Sequence, residues 1–153
     1  MQVDFCRFLS TQLTFNYKLR STTKIISIMS VTATLTNSTD TRVSIGRQTL
    51  LTSASDHEKA ASPMDVLSAS VASCVATVIG VVASDVGVDV TGLTVDVEKT
   101  MQQRPTRVKS LSITVKCPVA LSAAQRKALE SAAKRCPVKQ SLHPDITVEM
   151  NFI

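Results

Sequence analysis

Apolar residues and threonines alternate from Val31 to Leu35, and a similar alternation runs from Thr41 to Leu51 around Gly46. A period of two is the signature of a half-buried strand, so these segments predict two strands joined as a hairpin through Asn37-Ser38-Thr39-Asp40. A loop is expected from Ser53 to Ala61. Ser62-Pro63-Met64-Asp65 then carries three agreeing helix-start signals: serine at the N-cap, proline at the first helical position and an acid at the third, as in a capping box. Asp65 is explained as that cap. Residues 66 to 84 hold no charge at all, which sets a buried central helix against a membrane span. Ser68, Ser70, Ser73, Thr77 and Ser84 with several alanines leave few strongly inserting residues, so the pattern predicts a helix buried on all sides, in part by a second subunit.

Beyond Asp85 and Gly87 alternation returns. Val88, Val90, Leu93, Val95 and Val97 read as one long strand broken near Gly92, and Val108 to Val115 as another with Leu111, Ile113 and Val115 on one face. Residues 122 to 135 form an amphipathic helix, Pro137 opens a short further helix, and Ile146 to Phe152 is a final alternating strand. The order β-β-α-β-β-α-α-β, with hairpins rather than regular crossovers, predicts an α+β fold: an antiparallel sheet carrying helices on one face.

The segment through Met29 differs in kind. It has little periodicity, and of the net charge of +5 it holds +3, from Arg7, Lys18, Arg20 and Lys24 against Asp4. Residues 1–29 are therefore set apart as an amino-terminal extension, disordered, targeting or preceding a true start at Met29, and residues 30–153 as one domain. The cytoplasm is the expected compartment, with a mitochondrion or other organelle the alternative if the extension is a targeting peptide. The remaining chain is nearly charge-balanced. With aromatics at 3% and no tryptophan, it lacks the basic-aromatic surface of a nucleic-acid binder, so neither nucleic acid nor membrane is an expected partner.

Four cysteines without a Cys-x-x-Cys pair, and only His57 and His143, argue against a structural zinc site or a disulfide scaffold and for a reducing compartment. Cys136 ends one helix and precedes Pro137, which makes it the N-cap of the next. The free N–H groups there, with Lys134, Arg135 and Lys139, predict a lowered thiol pKa. A cysteine before proline also serves as a small apolar residue at a helix break. Cys74 lies within the uncharged central helix. Cys117, in Cys117-Pro118-Val119, ends a strand and is expected to carry no chemistry, and Cys6 has no assigned role.

The run Ser62-Pro63-Met64-Asp65-Val66-Leu67 leading to Cys74, the strand Gly92-Leu93-Thr94-Val95, Arg104-Pro105-Thr106 ahead of a strand, and Lys134-Arg135-Cys136-Pro137-Val138 together resemble the OsmC/Ohr family, osmotically inducible protein C and organic hydroperoxide resistance proteins. The likeness extends from about Ser30 to the end. It implies a cysteine-dependent peroxidase acting on organic hydroperoxides as an intertwined homodimer with active sites between subunits. Cys74 would be the peroxidatic thiolate that becomes a sulfenic acid, Cys136 the resolving thiol that closes a disulfide, and a dithiol reductant the co-substrate, with no bound cofactor.

One position departs from that pattern. Peroxidase members use an arginine from the amino-terminal hairpin, held by a glutamate just after the helix-opening proline, and here that glutamate is Met64. Asp65, nine residues before Cys74, falls on the opposite side of an ideal helix. Arg42 is preferred over Arg47 as the activating cation. His57, in the loop with Asp56 and Glu58, could serve as a nearby base or as a solvated loop residue; His143, before Pro144, reads as a turn residue. The alternative to the peroxidase is a non-peroxidatic member of the fold that binds a small apolar ligand or partner in the dimer groove.

Overall fold

In the computed structural model, which describes residues 30–56 and 58–153, nine elements follow one another where the sequence pattern gives eight. Strands β1 (Val31–Leu35), β2 (Asp40–Ile45) and β3 (Gln48–Ser53) form one antiparallel sheet in that order. The single strand expected from Thr41 to Leu51 is thus two, folded back at Gly46-Arg47, where Gly46 takes a φ of 58° that a side chain would resist. Arg47 sits in that turn rather than in a strand. The β1–β2 connection is an Asx turn: the Asn37 side-chain oxygen accepts from the N–H groups of Thr39 (2.9 Å) and Asp40 (2.8 Å). No side chain of this sheet belongs to the hydrophobic core, and Val31, Leu35, Ile45 and Leu51 stand exposed.

Helix α1 (Pro63–Asp85) begins as the sequence predicts. The Ser62 hydroxyl accepts from the Asp65 N–H at 3.2 Å, and the Asp65 carboxylate accepts from the Ser62 N–H at 2.9 Å, closing the capping box. Burial on every side is not what the fold shows within one chain. Ser68, Val71, Val75, Ile79 and Ala83 form one buried stripe at helical spacing, whereas Ser70, Ser73, Thr77 and Val81 are exposed. Each large apolar side chain of the stripe contributes about 1.5–3 kcal/mol by leaving water. By length and composition α1 alone would suffice to cross a bilayer. It packs instead against α2, α3, β4 and β5.

The second sheet contains β4 (Thr94–Gln103), β5 (Thr106–Lys116) and β6 (Thr147–Phe152). Residues 88–93 are not the start of a long strand. The Asp89 carboxylate accepts from the Thr91 N–H (2.8 Å) and hydroxyl (2.6 Å), and Gly92 adopts a φ of 90°, so the chain turns before β4 begins. In β5 the register slips between Ser110 and Val108, leaving Lys109 as a bulge. The extra residue changes the parity of the strand, so Val108 faces the core together with Leu111, Ile113 and Val115. β4 and β5 are antiparallel as expected, but β6 runs parallel to β5, because α2 (Ala123–Lys134) and α3 (Pro137–Gln140) carry the chain back across the sheet. Leu129 and Ala133 of α2 join the core through the contact with α1.

Candidate functional site

Cys136 occupies the elbow between α2 and α3. Helix α2 ends at Arg135, whose N–H already reaches back to Ala132, and Pro137 supplies the preset φ and missing donor that suit a helix's first position. Cys136 is the N-cap of α3, as its sequence context indicates, yet its sulfur makes no cap hydrogen bond. It points into the core and is 0 % exposed.

Cys74 lies beside the buried stripe of α1, one residue before Val75, and is half-buried against the same core. The α1–α3 contact brings these two distant cysteines together, near enough that Cys74 is one of the groups perturbing the Cys136 thiol. Both are free thiols.

The electrostatics of Cys136 differ from the sequence expectation. Its pKa is raised, not lowered: burial is the largest cause, the neighbouring Cys74 thiol the next, and the backbone N–H groups of Lys139 and Val138 pull the other way with less effect. Local positive charge and a helix N-terminus are visible in a sequence. The desolvation that outweighs them is a property of the packed core. Cys136 therefore holds its proton at neutral pH.

Arg42 projects from β2 opposite Thr34 of β1 and Leu51 of β3. It is exposed, and makes no hydrogen bond or ion pair among the described residues. Within one chain neither Arg42 nor Arg47 is joined to the two cysteines. His57 lies outside the described residues, as does Cys6. Cys117 follows β5 directly, half-buried, its N–H donating to the Ile153 carbonyl at 3.2 Å.

Two clusters are absent from the sequence reading. Asp65 receives the Lys99 ammonium from β4 as well as the Ser62 donors, and this ion pair, followed by the hydrogen bonds to Ser62, holds its carboxyl well below the usual carboxylate range. His143, expected to be a plain turn residue, has its Nδ1 3.3 Å from an Arg107 Nη1 and 3.2 Å from the Asp145 N–H. Arg107 also donates to Asp145 at 2.8 Å. No local signal could have found either, since each joins residues from separate elements. An open cleft of about 580 Å³ between the end of α1 and the 88–93 loop, lined by Ala76, Gly80, Ser84, Val90 and Leu93 among others, contains neither Cys74 nor Cys136.

The α+β domain thus combines a long central helix and two three-stranded sheets, and it brings Cys74 of α1 and Cys136 at the start of α3 together. Residues 56–151 match the family model described as OsmC-like protein, and the chain belongs to that family. Among solved structures, it is similar to one from Psychrobacter arcticus 273-4 described as an osmotic stress induced and detoxification response protein. That likeness has 30% identity, a TM-score of 0.76, and covers 80% of this chain and 94% of the other. It is also similar in fold to an OsmC-like protein of Mycoplasma pneumoniae (15% identity, TM-score 0.73, covering 82% and 95%). The organic hydroperoxide resistance protein OhrB of Bacillus subtilis shares the fold as well, at 12% identity and a TM-score of 0.62, covering 82% and 97%. No curated protein sequence matches.

Proposed function

We propose that this protein is a thiol peroxidase that reduces organic hydroperoxides, with Cys74 as the peroxidatic residue and Cys136 as the resolving one. The observation that carries it is the meeting of two free thiols, one half-buried and one fully buried, at the contact of α1 and α3. Hydroperoxide resistance proteins of the same fold support the substrate class.

The Cys74 thiolate attacks one peroxide oxygen, the O–O bond breaks, and the alcohol leaves with a proton while Cys74 becomes a sulfenic acid. Cys136, kept protonated until then by its burial, attacks the Cys74 sulfur, water leaves, and the disulfide closes. A dithiol reductant restores both thiols, and no metal or prosthetic group takes part. Such a cycle suits a reducing compartment such as the cytoplasm.

Activation of Cys74 falls to Arg42, delivered by a second subunit. A three-stranded sheet with exposed Val31, Leu35, Ile45 and Leu51, contributing nothing to its own core, needs a covering surface, and an intertwined homodimer provides one. Met64 leaves that arginine without the carboxylate that steadies it in peroxidase relatives.

Turnover of cumene hydroperoxide with dithiothreitol tests the reading: activity in the parent and its loss in Cys74→Ser are the expected results. A parent inert with several dithiols overturns it in favour of a non-peroxidatic ligand-binding member. The open cleft away from the cysteines would then become the place to look for the ligand.

A further inference from the structure

The two sulfurs are not equally open. Cys136 is wholly enclosed by its own chain, whereas Cys74 retains partial exposure on the shoulder of α1. A second subunit can only remove access to a surface, never create it, so the enclosure of Cys136 persists in any assembly of the native fold, while Cys74 is the one of the two sulfurs with a surface of its own. Thiol–disulfide exchange needs a thiolate to approach along the axis of the S–S bond, from the side opposite the leaving sulfur.

Resting on the peroxidase reading above, we infer that the reducing thiol enters the cycle at the Sγ of Cys74, forming its mixed disulfide there and expelling Cys136 as the leaving group. The reductant's thiolate bonds to the Cys74 sulfur, the S–S electron pair departs with the Cys136 sulfur, and Cys136 takes a proton. A second reductant thiol, on the same or another molecule, attacks the reductant sulfur of the mixed disulfide and releases the Cys74 thiolate. Two thiols are oxidised to one disulfide while one protein disulfide becomes two thiols.

Leaving-group chemistry pulls the other way. A thiol held protonated is a poorer leaving group, so electronics alone favour attack at Cys136 with Cys74 departing. That preference is graded, whereas an enclosed sulfur offers no line of approach, so access decides. The N–H groups of Val138 and Lys139, which favour the Cys136 thiolate, ease its departure. One thiol thus meets both peroxide and reductant, and the other never meets solvent in the native state.

The disulfide for the test is made in the full-length protein with diamide, so the outcome does not depend on peroxidase turnover. Brief exposure to 2-mercaptoethanol, an acid quench and peptide mass mapping should place the adduct on the Cys74 peptide. In parallel, 5,5′-dithiobis(2-nitrobenzoate) should label Cys74 in Cys136→Ser at least about a hundredfold faster than Cys136 in Cys74→Ser, because a core thiol reacts only through rare opening. An adduct on the Cys136 peptide, comparable labelling rates, or failure of diamide to join the two cysteines would each overturn the inference. Absence of hydroperoxide turnover with the predicted adduct in place would instead overturn only the peroxidase reading.

Discussion

Replacing Asp65 by alanine removes one carboxylate that serves two elements. The α1 capping box loses its acceptor for the Ser62 N–H (2.9 Å) and hydroxyl (2.6 Å), and Lys99 on β4 loses its only ion-pair partner among the described residues. Losing a helix cap typically costs about 1 kcal/mol. The ion pair, with the Asp65 side chain 40% exposed and Lys99 24%, adds no more than about 1 kcal/mol after solvent screening. The expected loss at neutral pH is about 1–2 kcal/mol, or roughly 3–8 °C in melting temperature for a domain of this size. The pH dependence has a fixed sign. The folded carboxyl titrates below its unfolded value of 3.8, so its contribution is complete above about pH 4 and fades as acid protonates it. Thermal unfolding followed by circular dichroism should show a gap between parent and Asp65→Ala at pH 7 that narrows towards pH 2. Iodoacetamide labelling of Cys74 should proceed at the parent rate, since Asp65 acts on α1 and β4 rather than on the thiol. A variant as stable as the parent at pH 7, a gap that persists in acid, or slowed Cys74 labelling would refute the assignment.

Other outcomes follow from the thiols and the hairpin. The folded Cys136 pKa is raised above its unfolded value of 9.0, so the stability linked to it is complete below about pH 9 and lost as pH rises through the folded value. Chemical denaturation from pH 8 to 11 should therefore show a steeper alkaline decline for the parent than for Cys136→Ala, and equal slopes would count against the burial of that thiol. Arg42→Ala should lower hydroperoxide turnover at least tenfold, with Arg47→Ala close to the parent, and the reverse order in a steady-state assay would reassign the activating cation.

What could be read from the chain and what could not divide along physical lines. The Ser62 cap, the start of α1 and the elbow at Cys136-Pro137 are local events, in which a few adjacent residues determine the backbone, and each stands where the sequence indicates. The extra strand break at Gly46-Arg47 escaped because alternation continues through it, and the loop before β4 because valine and leucine also occupy its positions. The direction of β6 and the Asp65–Lys99 and Arg107–Asp145 pairs depend on which distant segments meet, which no window of sequence contains. The closeness of Cys74 and Cys136 was legible only through family resemblance. The raised pKa of Cys136 was not legible at all, since charge and capping are written locally and burial is not.

The parallel pairing of β6 with β5 also shapes how the protein must be made. Ser110 meets Thr147 only after the intervening helices have formed and swung across, so the strand carrying Leu111, Ile113 and Val115 waits for its second neighbour until α2, α3 and β6 have left the ribosome. During that interval a ribbon rich in valine, leucine and isoleucine has an open edge, because its partner on that side follows α2 and α3 in the chain. The cost of this topology is thus kinetic: a nascent chain carries an unpaired apolar strand edge until α2, α3 and β6 have followed it.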